Sequence, residues 1–272
     1  MPALTLHLLS LTPPITAKKF VKQLRKKFTT KIIVASQPQK VIISPTLLDS
    51  DVLLSKPWDL LLLVHQENPK EPIFPGTLAS HIQKEYKINV GIPSKLLSTY
   101  PQRDAQLKRE AKDAPLTGSL ETINLEESGQ NLEVSGELVH FMEGFMAKVH
   151  DGPVTMLNLL YFHYPGGKES YYKYGQAFTP VAAKRGGNAK LVGSVIRSAG
   201  SDSRGVRDRP EEDWWNEVSI VHYPSLRHFC DMLAGEDYQE VNRSYRLGAL
   251  RDTLLLCTTE FEVEGVGEEA KL

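Results

Sequence analysis

The chain has 272 residues, of which 41% are hydrophobic and 24% charged, and its formal net charge at pH 7 is −1. This composition is typical of a globular protein of one or two domains, and the small net charge gives no field that would attract nucleic acid or an anionic membrane. The apolar start at 3–11 lacks a basic leader and is too short to span a bilayer, so we expect a cytoplasmic protein without nucleic-acid or membrane partners. Cys230 and Cys257 have apolar neighbours, which favours buried thiols over a disulfide.

The first half of the chain is predicted to run strand, helix, two strands, helix and strand. Phe20, Val21 and Leu24 recur at helical spacing, whereas the runs on either side of Gln37-Pro38 are β-branched and apolar. Those two runs form either one interrupted strand or a hairpin. The expected elements are a strand at 4–11, a helix at 16–28, strand runs at 31–35 and 41–44, a strand at 58–65, a helix at 77–86 and a strand at 88–92.

The second half repeats this order. Gly186-Gly187 is typical of a helix C-terminus, and Ser225 of a helix N-cap. The polar segment 198–213 is either a lid or, as we favour, a solvated hairpin tip. The expected elements are a strand at 154–163, a helix at 168–185, strands at 190–197 and 215–223, helices at 225–233 and 236–247, and a strand at 253–261.

Residues 98–150 connect the halves and contain shorter apolar runs, so we expect a strap between two domains. Within it, Leu138, Phe141, Met142 and Phe145 fall on one side of a helix at 137–148 and should pack against the protein. The expected organisation is an N-terminal repeat at 1–97, the strap at 98–150 and a C-terminal repeat at 151–272 that carries the site.

Two sequence echoes indicate that the second half is a copy of the first. The stretch WDLLLLVH at 58–65 matches WNEVSIVH at 215–222 without a gap, at an offset of 157 residues. Earlier in each half, LHLL at 6–9 matches LNLL at 157–160 at an offset of 151 residues. Two matches in the same order at nearly the same offset favour a tandem duplication over chance.

Strand, helix, strand, strand, helix, strand is the order of a ferredoxin-like fold. The second half also resembles one family of the dimeric α+β barrel superfamily, a family catalogued mainly as a domain of unknown function. The likeness covers about 152–259, and the first half shares it only through the echoes. The matching motifs, in chain order, are the strand at 156–160, Tyr174-Gly175, Gly186-Gly187, Tyr223-Pro224-Ser225, Glu236-Asp237-Tyr238-Gln239 and Arg246.

Members of that superfamily usually pair the sheets of two chains into a barrel. The resemblance therefore implies an α+β fold in which two ferredoxin-like repeats of one chain pack their sheets into an intramolecular barrel, since each sheet alone would expose an apolar face. A further homodimer stays compatible with this arrangement. The superfamily includes cofactor-free monooxygenases, cyclases, isomerases and decarboxylating enzymes, together with some haem proteins.

Alternation along the strands separates an apolar row from a mixed row. Leu157 and Leu159 belong to the apolar row, as do Val218 and Ile220, and we assign this row to the helices. We assign the mixed row to the inside of the barrel and expect the functional pocket there. That row contains Met156, Asn158, Phe162, Glu217, Ser219 and Tyr223 in the second half and His7 in the first.

An apolar chamber with a few convergent polar groups is the usual form of a small-molecule site. A carboxylate inside it is costly unless paired or protonated, so Glu217 would have the raised pKa of a general base, or else it would pair with Arg246. Asn158 and Ser219 either contact the ligand or only form hydrogen bonds with buried backbone groups. His65 and His222 belong by alternation to the apolar row, which favours a position at the rim of the barrel or in a packed core. The candidate catalytic residues are Glu217, Asn158 and His7, and the candidate substrate-binding residues are Phe162, Tyr174, Ser219, Tyr223, Arg246 and His222.

The sequence contains no Gly-rich phosphate loop, nucleophile elbow or Cys-His constellation, and its histidines lack zinc-ligand spacing. We therefore expect no metal and no other cofactor, with haem ligation by a histidine left open. Two functions fit: a cofactor-independent lyase, isomerase, cyclase or oxygenase acting on a small, largely apolar oxygenated metabolite, or a non-catalytic binding or structural protein. Polar groups confined to one wall favour the enzyme.

Overall fold

The structure, a computed structural model, describes residues 3–27, 30–66, 71–196 and 214–261. The strands are β1 (Ala3–Leu11), β2 (Lys31–Ile43), β3 (Leu60–His65), β4 (Ile82–Gly91), β5 (Val154–Phe162), β6 (Asn188–Val195), β7 (Glu217–Tyr223) and β8 (Leu250–Glu260). The helices are α1 (Ala17–Lys27), α2 (Ser50–Leu53), α3 (Gly76–Ala79), α4 (Ser94–Glu110), α5 (Gly136–Lys148), α6 (Gly167–Ala183), α7 (Leu226–Ala234) and α8 (Glu236–Val241), the last continued by a π-helical turn at Asn242–Arg246.

All eight strands form one closed antiparallel barrel in the order β1-β3-β2-β8-β5-β7-β6-β4. Each half contributes its strands in the spatial order fourth, first, third, second, which is the ferredoxin-like arrangement. The halves join where β2 pairs with β8, and again where Val90 and Gly91 of β4 pair with Val195 and Ser194 of β6. The predicted intramolecular α+β barrel is confirmed, while tandem duplication stays a prediction.

The interior of the barrel is filled by the apolar rows of both halves. An eight-stranded barrel is just wide enough for side chains to fill, so little room remains for a ligand. The assignment of these rows to the helices is therefore wrong, and the mixed rows face outward. The buried interior set includes Leu6, Leu8, Leu61, Leu63, Leu157, Leu159, Val218, Ile220, Leu254 and Leu256.

Two further cores lie on the outside of the barrel, one beneath the helices of each half. In the first half, Phe20 and Leu24 of α1 pack with Leu60 and Leu62 of β3. In the second half, α6 and α7 pack over the outer face of β5, β7 and β8. Corresponding positions in the two halves therefore have different surroundings on these two outer faces.

Several predicted boundaries change in the structure. The runs around Pro38 form the single interrupted strand β2, with register shifts near the proline. The helix expected at 77–86 is wrong, because only Gly76–Ala79 is helical and β4 begins at Ile82. Every second side chain of β4, namely Tyr86, Ile88 and Val90, lies in the barrel interior. This period of two is that of a strand and differs from the spacing of a helix.

The strap contains one α-helix more than expected, α4, together with two short 3-10 turns at Ala111–Asp113 and Ser119–Glu121. The predicted helix is confirmed as α5, in which Leu138, Met142 and Phe145 are buried. Ahead of it, α4 packs against β6, an arrangement that the sequence did not indicate. The segment 198–213 and Phe28 lie outside the described residues. None of the described helices has the length and apolar character needed to cross a membrane.

A buried cluster of charges joins α4 to the barrel. Lys190 of β6 is fully buried, and its Nζ lies 2.5 Å from both Asp104 Oδ1 and Glu260 Oε1. Lys108 bridges the same two carboxylates at 2.6 and 2.8 Å. Two cations therefore neutralise two carboxylates where α4, β6 and β8 meet, and His222 lies near them.

His222 should make the protein sensitive to acid. Burial lowers its pKa to about 3, and Lys190 acts in the same direction, against Asp104. As the pH falls below the ordinary value of 6.5, His222 becomes protonated in the unfolded chain, whereas in the folded chain it stays neutral until about pH 3. The free energy of unfolding therefore decreases across this range. We expect His222→Phe to reduce the slope of unfolding free energy against pH by about 1.4 kcal/mol per unit in this window.

Urea unfolding between pH 4 and 7 measures that slope. The matched control is His140→Phe, because His140 is exposed on α5. An unchanged slope in His222→Phe would show that other groups set the acid sensitivity.

Candidate functional site

A cavity of about 380 Å³ lies between the outer face of the C-terminal sheet and the helices that cover it. Its floor is the mixed row. Asn158 of β5 and Ser219 of β7 are directly paired there, with Leu255 of β8 beside Asn158 and Val192 of β6 beside Ser219. The prediction that the pocket lies inside the barrel is wrong, because this row faces the helices.

The opposite wall is the aromatic face of α6. Tyr171, Tyr174 and Phe178 follow one another at helical spacing, with ring centroids 5.1 and 5.5 Å apart. The start of this helix comes very close to the turn that precedes β8, since a Cβ added at Gly167 would lie 2.6 Å from the Ala249 carbonyl oxygen. Glycine at this position therefore lets α6 cover the cavity.

The deep end of the cavity is formed by α8 and the π-helical turn. Tyr238 Oη lies 3.4 Å from Tyr174 Oη, and Arg246 ends the turn. The strap holds these elements, because the Asn242 side chain donates to the Asn131 carbonyl at 2.8 Å and Gln239 donates to the Leu132 carbonyl at 2.9 Å. Single π turns inside helices are frequent at functional sites, where they change the direction of a side chain.

Glu217 stands where β7 begins, at the wall of the cavity. Its side chain is half-buried, and among the described residues no donor lies within hydrogen-bond distance of its carboxylate. Burial raises the pKa of Glu217, while the exposed Lys168 opposes that shift. The predicted alternative of a Glu217–Arg246 pair is wrong, since the structure shows no ion pair between them.

Tyr171 lines the cavity close enough to Glu217 and Arg246 for both charges to act on its pKa. Burial raises its pKa, as do neighbouring Tyr174 and Glu217, whereas the positive charge of Arg246 lowers it. Both charges therefore act on one phenol from different places. Glu217 and Arg246 line the same cavity as Tyr171, so a ligand bound there can meet both a carboxylate and a guanidinium.

Seven of the nine predicted site residues are brought together. They come from two strands and one helix of the second half and from the π-helical turn, and they share one cavity. The seven are Asn158, Phe162, Tyr174, Glu217, Ser219, Tyr223 and Arg246.

His7 and His222 do not line the cavity, so their predicted positions are wrong. His7 lies on the outer face of the N-terminal sheet, with its Nδ1 2.7 Å from Glu85 Oε1 and its ring against the edge of Phe74. His222 belongs to the inward row with Ile220. The interchange of the inward and outward rows accounts for His7. His222 lies on the row opposite to Glu217 and Ser219 under either assignment, so it does not reach the cavity.

Most residues that α6 and α8 contribute to the walls were not predicted from the sequence. The spacing of Tyr171, Tyr174 and Phe178 on one face of α6 was a signal, although an ordinary packed face has the same pattern. The additional lining residues include Leu132, Lys168, Tyr171, Tyr172, Gly175, Phe178, Val192, Met232 and Tyr238.

Gly175 offers a way to fill the cavity without unfolding the protein. It lines the cavity in the middle of α6, and a Cβ added there meets no atom within 4 Å. We expect Gly175→Leu to abolish binding of small apolar ligands such as benzylacetone while stability rises by roughly 0.5–1 kcal/mol, because leucine favours the helix over glycine.

Calorimetric titration and urea unfolding measure the two effects. Gly144→Leu on α5 is the matched control, since its Cβ is equally free and Gly144 does not line the cavity. Loss of binding in both variants, or in neither, would contradict the location of the site.

No protein-family model and no curated protein matches the chain. Among solved structures, a putative monooxygenase from Lactobacillus acidophilus NCFM is 8% identical and aligns over 95% of this chain and 93% of its own, with a TM-score of 0.47. An anthrone oxidase-like protein is 10% identical over 95% of this chain and 92% of its own, with a TM-score of 0.39. A protein of unknown function from Rhodopseudomonas palustris is 27% identical over 46% of this chain and 93% of its own, with a TM-score of 0.34. At these values, none of the three assigns an activity to the chain.

Proposed function

We propose that the protein is a cofactor-independent enzyme that uses Glu217 as a general base on a small, largely apolar oxygenated metabolite. The observation that carries the proposal is a half-buried carboxylate at the wall of an aromatic cavity, with no hydrogen-bond donor among the described residues. Burial raises the pKa of this carboxylate towards neutrality, where a base transfers protons most efficiently.

The reaction step that this arrangement supports is removal of a proton next to a carbonyl group. The Glu217 carboxylate takes the proton, and the electron pair of the broken C–H bond moves onto the carbonyl oxygen to give an enolate. Ser219 projects from the same face of β7 about 7 Å along the strand, and Asn158 is its direct neighbour. Their hydroxyl and amide groups are donors that would stabilise the new negative charge.

The fate of the enolate decides the reaction class. Return of the proton from Glu217 to another carbon gives an isomerase, and loss of a leaving group gives a lyase. Attack of the enolate carbon on a second carbonyl of the same molecule gives a cyclase, and its oxidation by molecular oxygen gives an oxygenase. Proton removal is common to all four, so it is the step to test.

Deuterium exchange tests the proposal with simple compounds that share the reactive C–H group. Wild-type protein is incubated in D₂O with a panel of small ketones, keto acids and enols, starting with benzylacetone, and loss of the C–H signal is followed by NMR. We expect exchange that depends on the protein and disappears in Gly175→Leu. Compounds that bind the cavity without any exchange or conversion would overturn the proposal and favour the non-catalytic binding protein.

A further inference from the structure

Arg246 is a buried cation without a counter-ion in the part of the chain that the structure describes. Its side chain is 3% exposed, its Nη2 has no hydrogen-bond partner, and the structure shows no ion pair between it and any described carboxylate. Burial of an unpaired charge is strongly unfavourable. The described fold therefore leaves the charge of Arg246 to be neutralised by another group.

Other buried cations of the same molecule show the ordinary solution. Arg185 pairs with Asp231 and Asp237 at 3.2 and 3.1 Å, and Lys190 pairs with two carboxylates. Arg246 differs from both because it lines a cavity and forms no ion pair with a described carboxylate. This contrast points to a partner that enters from solution.

The groups around Arg246 leave its charge uncompensated. Burial raises the pKa of Tyr174, Tyr223 and Tyr238, so these phenols stay neutral, and the Arg246 charge lowers each of these pKa values because it is close. Glu217 lies elsewhere on the wall, and its pKa responds to burial and Lys168. The deep end of the cavity is thus positive and aromatic.

We propose that the ligand of the cavity is a small carboxylic acid with an apolar body, whose carboxylate binds the Arg246 guanidinium. The planar guanidinium offers two parallel N–H groups that match a carboxylate. One buried cation suits a monoanion, and the aromatic walls suit an apolar body. The inference rests on the proposed function for the reaction at Glu217, but ligand binding alone tests it.

With the carboxylate at Arg246, the body of the ligand would lie along Tyr171 and extend towards Glu217. The acid group would then serve to orient the molecule and would not react itself. The predicted substrate class is accordingly a small keto or enol acid, in which the carboxylate and the exchangeable C–H group stand at opposite ends.

A matched pair of probes, hydrocinnamate and its neutral amide, isolates the contribution of the charge. Calorimetric titration of the wild-type protein at pH 7 should show the acid binding at least about tenfold more tightly than the amide, because a charged hydrogen-bonded pair replaces an unpaired cation. In Arg246→Met the ratio should fall to about one, with binding of the amide retained. Arg243→Met is the matched control, since Arg243 occupies the same turn but is exposed and pairs with Glu236.

If Arg246→Met does not fold, ¹⁵N NMR of the arginine Nε–H groups in the wild-type protein replaces it. Hydrocinnamate should shift a single buried arginine resonance, and that resonance should be absent in Arg246→Lys. Equal affinities for acid and amide, or an acid preference that survives in Arg246→Met, would overturn the inference. Glu217-dependent exchange of neutral ketones combined with equal affinities would overturn only this inference, whereas tight acid binding without any exchange would overturn only the proposed base.

Discussion

Lys190→Met should lower the free energy of unfolding by about 3 kcal/mol or more, because it leaves buried carboxylates without their central cation. Lys190 is fully buried between Asp104 and Glu260, and Glu260 is only 7% exposed. Lys108 still bridges both carboxylates in the variant, so the cluster would keep one of its two positive charges. Urea unfolding at pH 7 measures the loss.

The neighbouring lysine provides the control for position within the cluster. Lys108 contacts the same carboxylates but is 32% exposed, so Lys108→Met should cost about 1 kcal/mol or less. Adding Glu260→Gln to Lys190→Met should recover part of the stability, because it removes the one carboxylate charge that Lys108 alone leaves uncompensated. Equal losses of unfolding free energy in Lys190→Met and Lys108→Met would show that the burial of a lysine does not determine how much it stabilises the fold.

Glu217→Gln should reduce turnover by about 10²- to 10⁴-fold, the usual contribution of a general base. Glutamine has nearly the same shape but cannot accept the proton, so folding and ligand affinity should change little. The rate of the exchange reaction found in D₂O measures the effect. In the wild-type protein the rate should rise with pH through the pKa of Glu217, which burial holds above its ordinary value of 4.5.

Glu169→Gln provides the control for loss of a carboxylate near the start of α6. Glu169 is exposed and pairs with Lys173, so its replacement should leave both rate and pH dependence unchanged. Full activity in Glu217→Gln would remove Glu217 from the reaction. The cavity would then remain a binding site whose chemistry depends on other groups.

Local patterns in the sequence were sufficient to predict the order of elements, and the resemblance to the barrel superfamily implied the closure of the two sheets. The echoes, the turn residues and the alternation of Leu157, Asn158 and Leu159 are local patterns, and each survives in the structure. Alternation separates two rows of side chains but carries no information on which row faces inward. That choice depends on the volume enclosed by eight strands, which is a property of the closed barrel.

The cavity itself also depends on tertiary structure. Arg246 reaches it because a π turn follows α8, and Gln239 and Asn242 are held by strap residues more than 100 positions earlier in the chain. Such contacts leave no periodic pattern in the sequence. The sequence resemblance described above pointed to Tyr174 and Arg246 as candidates, because it did not depend on the assignment of faces.

The difference between the two outer faces determines how many ligands a chain holds. Leu60 and Leu62 occupy the positions that correspond to Glu217 and Ser219, and both are buried against α1 in a packed core. A barrel made from two identical chains would present equivalent sites in symmetric pairs. In this chain the two outer faces differ, so titration at the candidate site should saturate at one molecule per chain, with a simple hyperbolic isotherm.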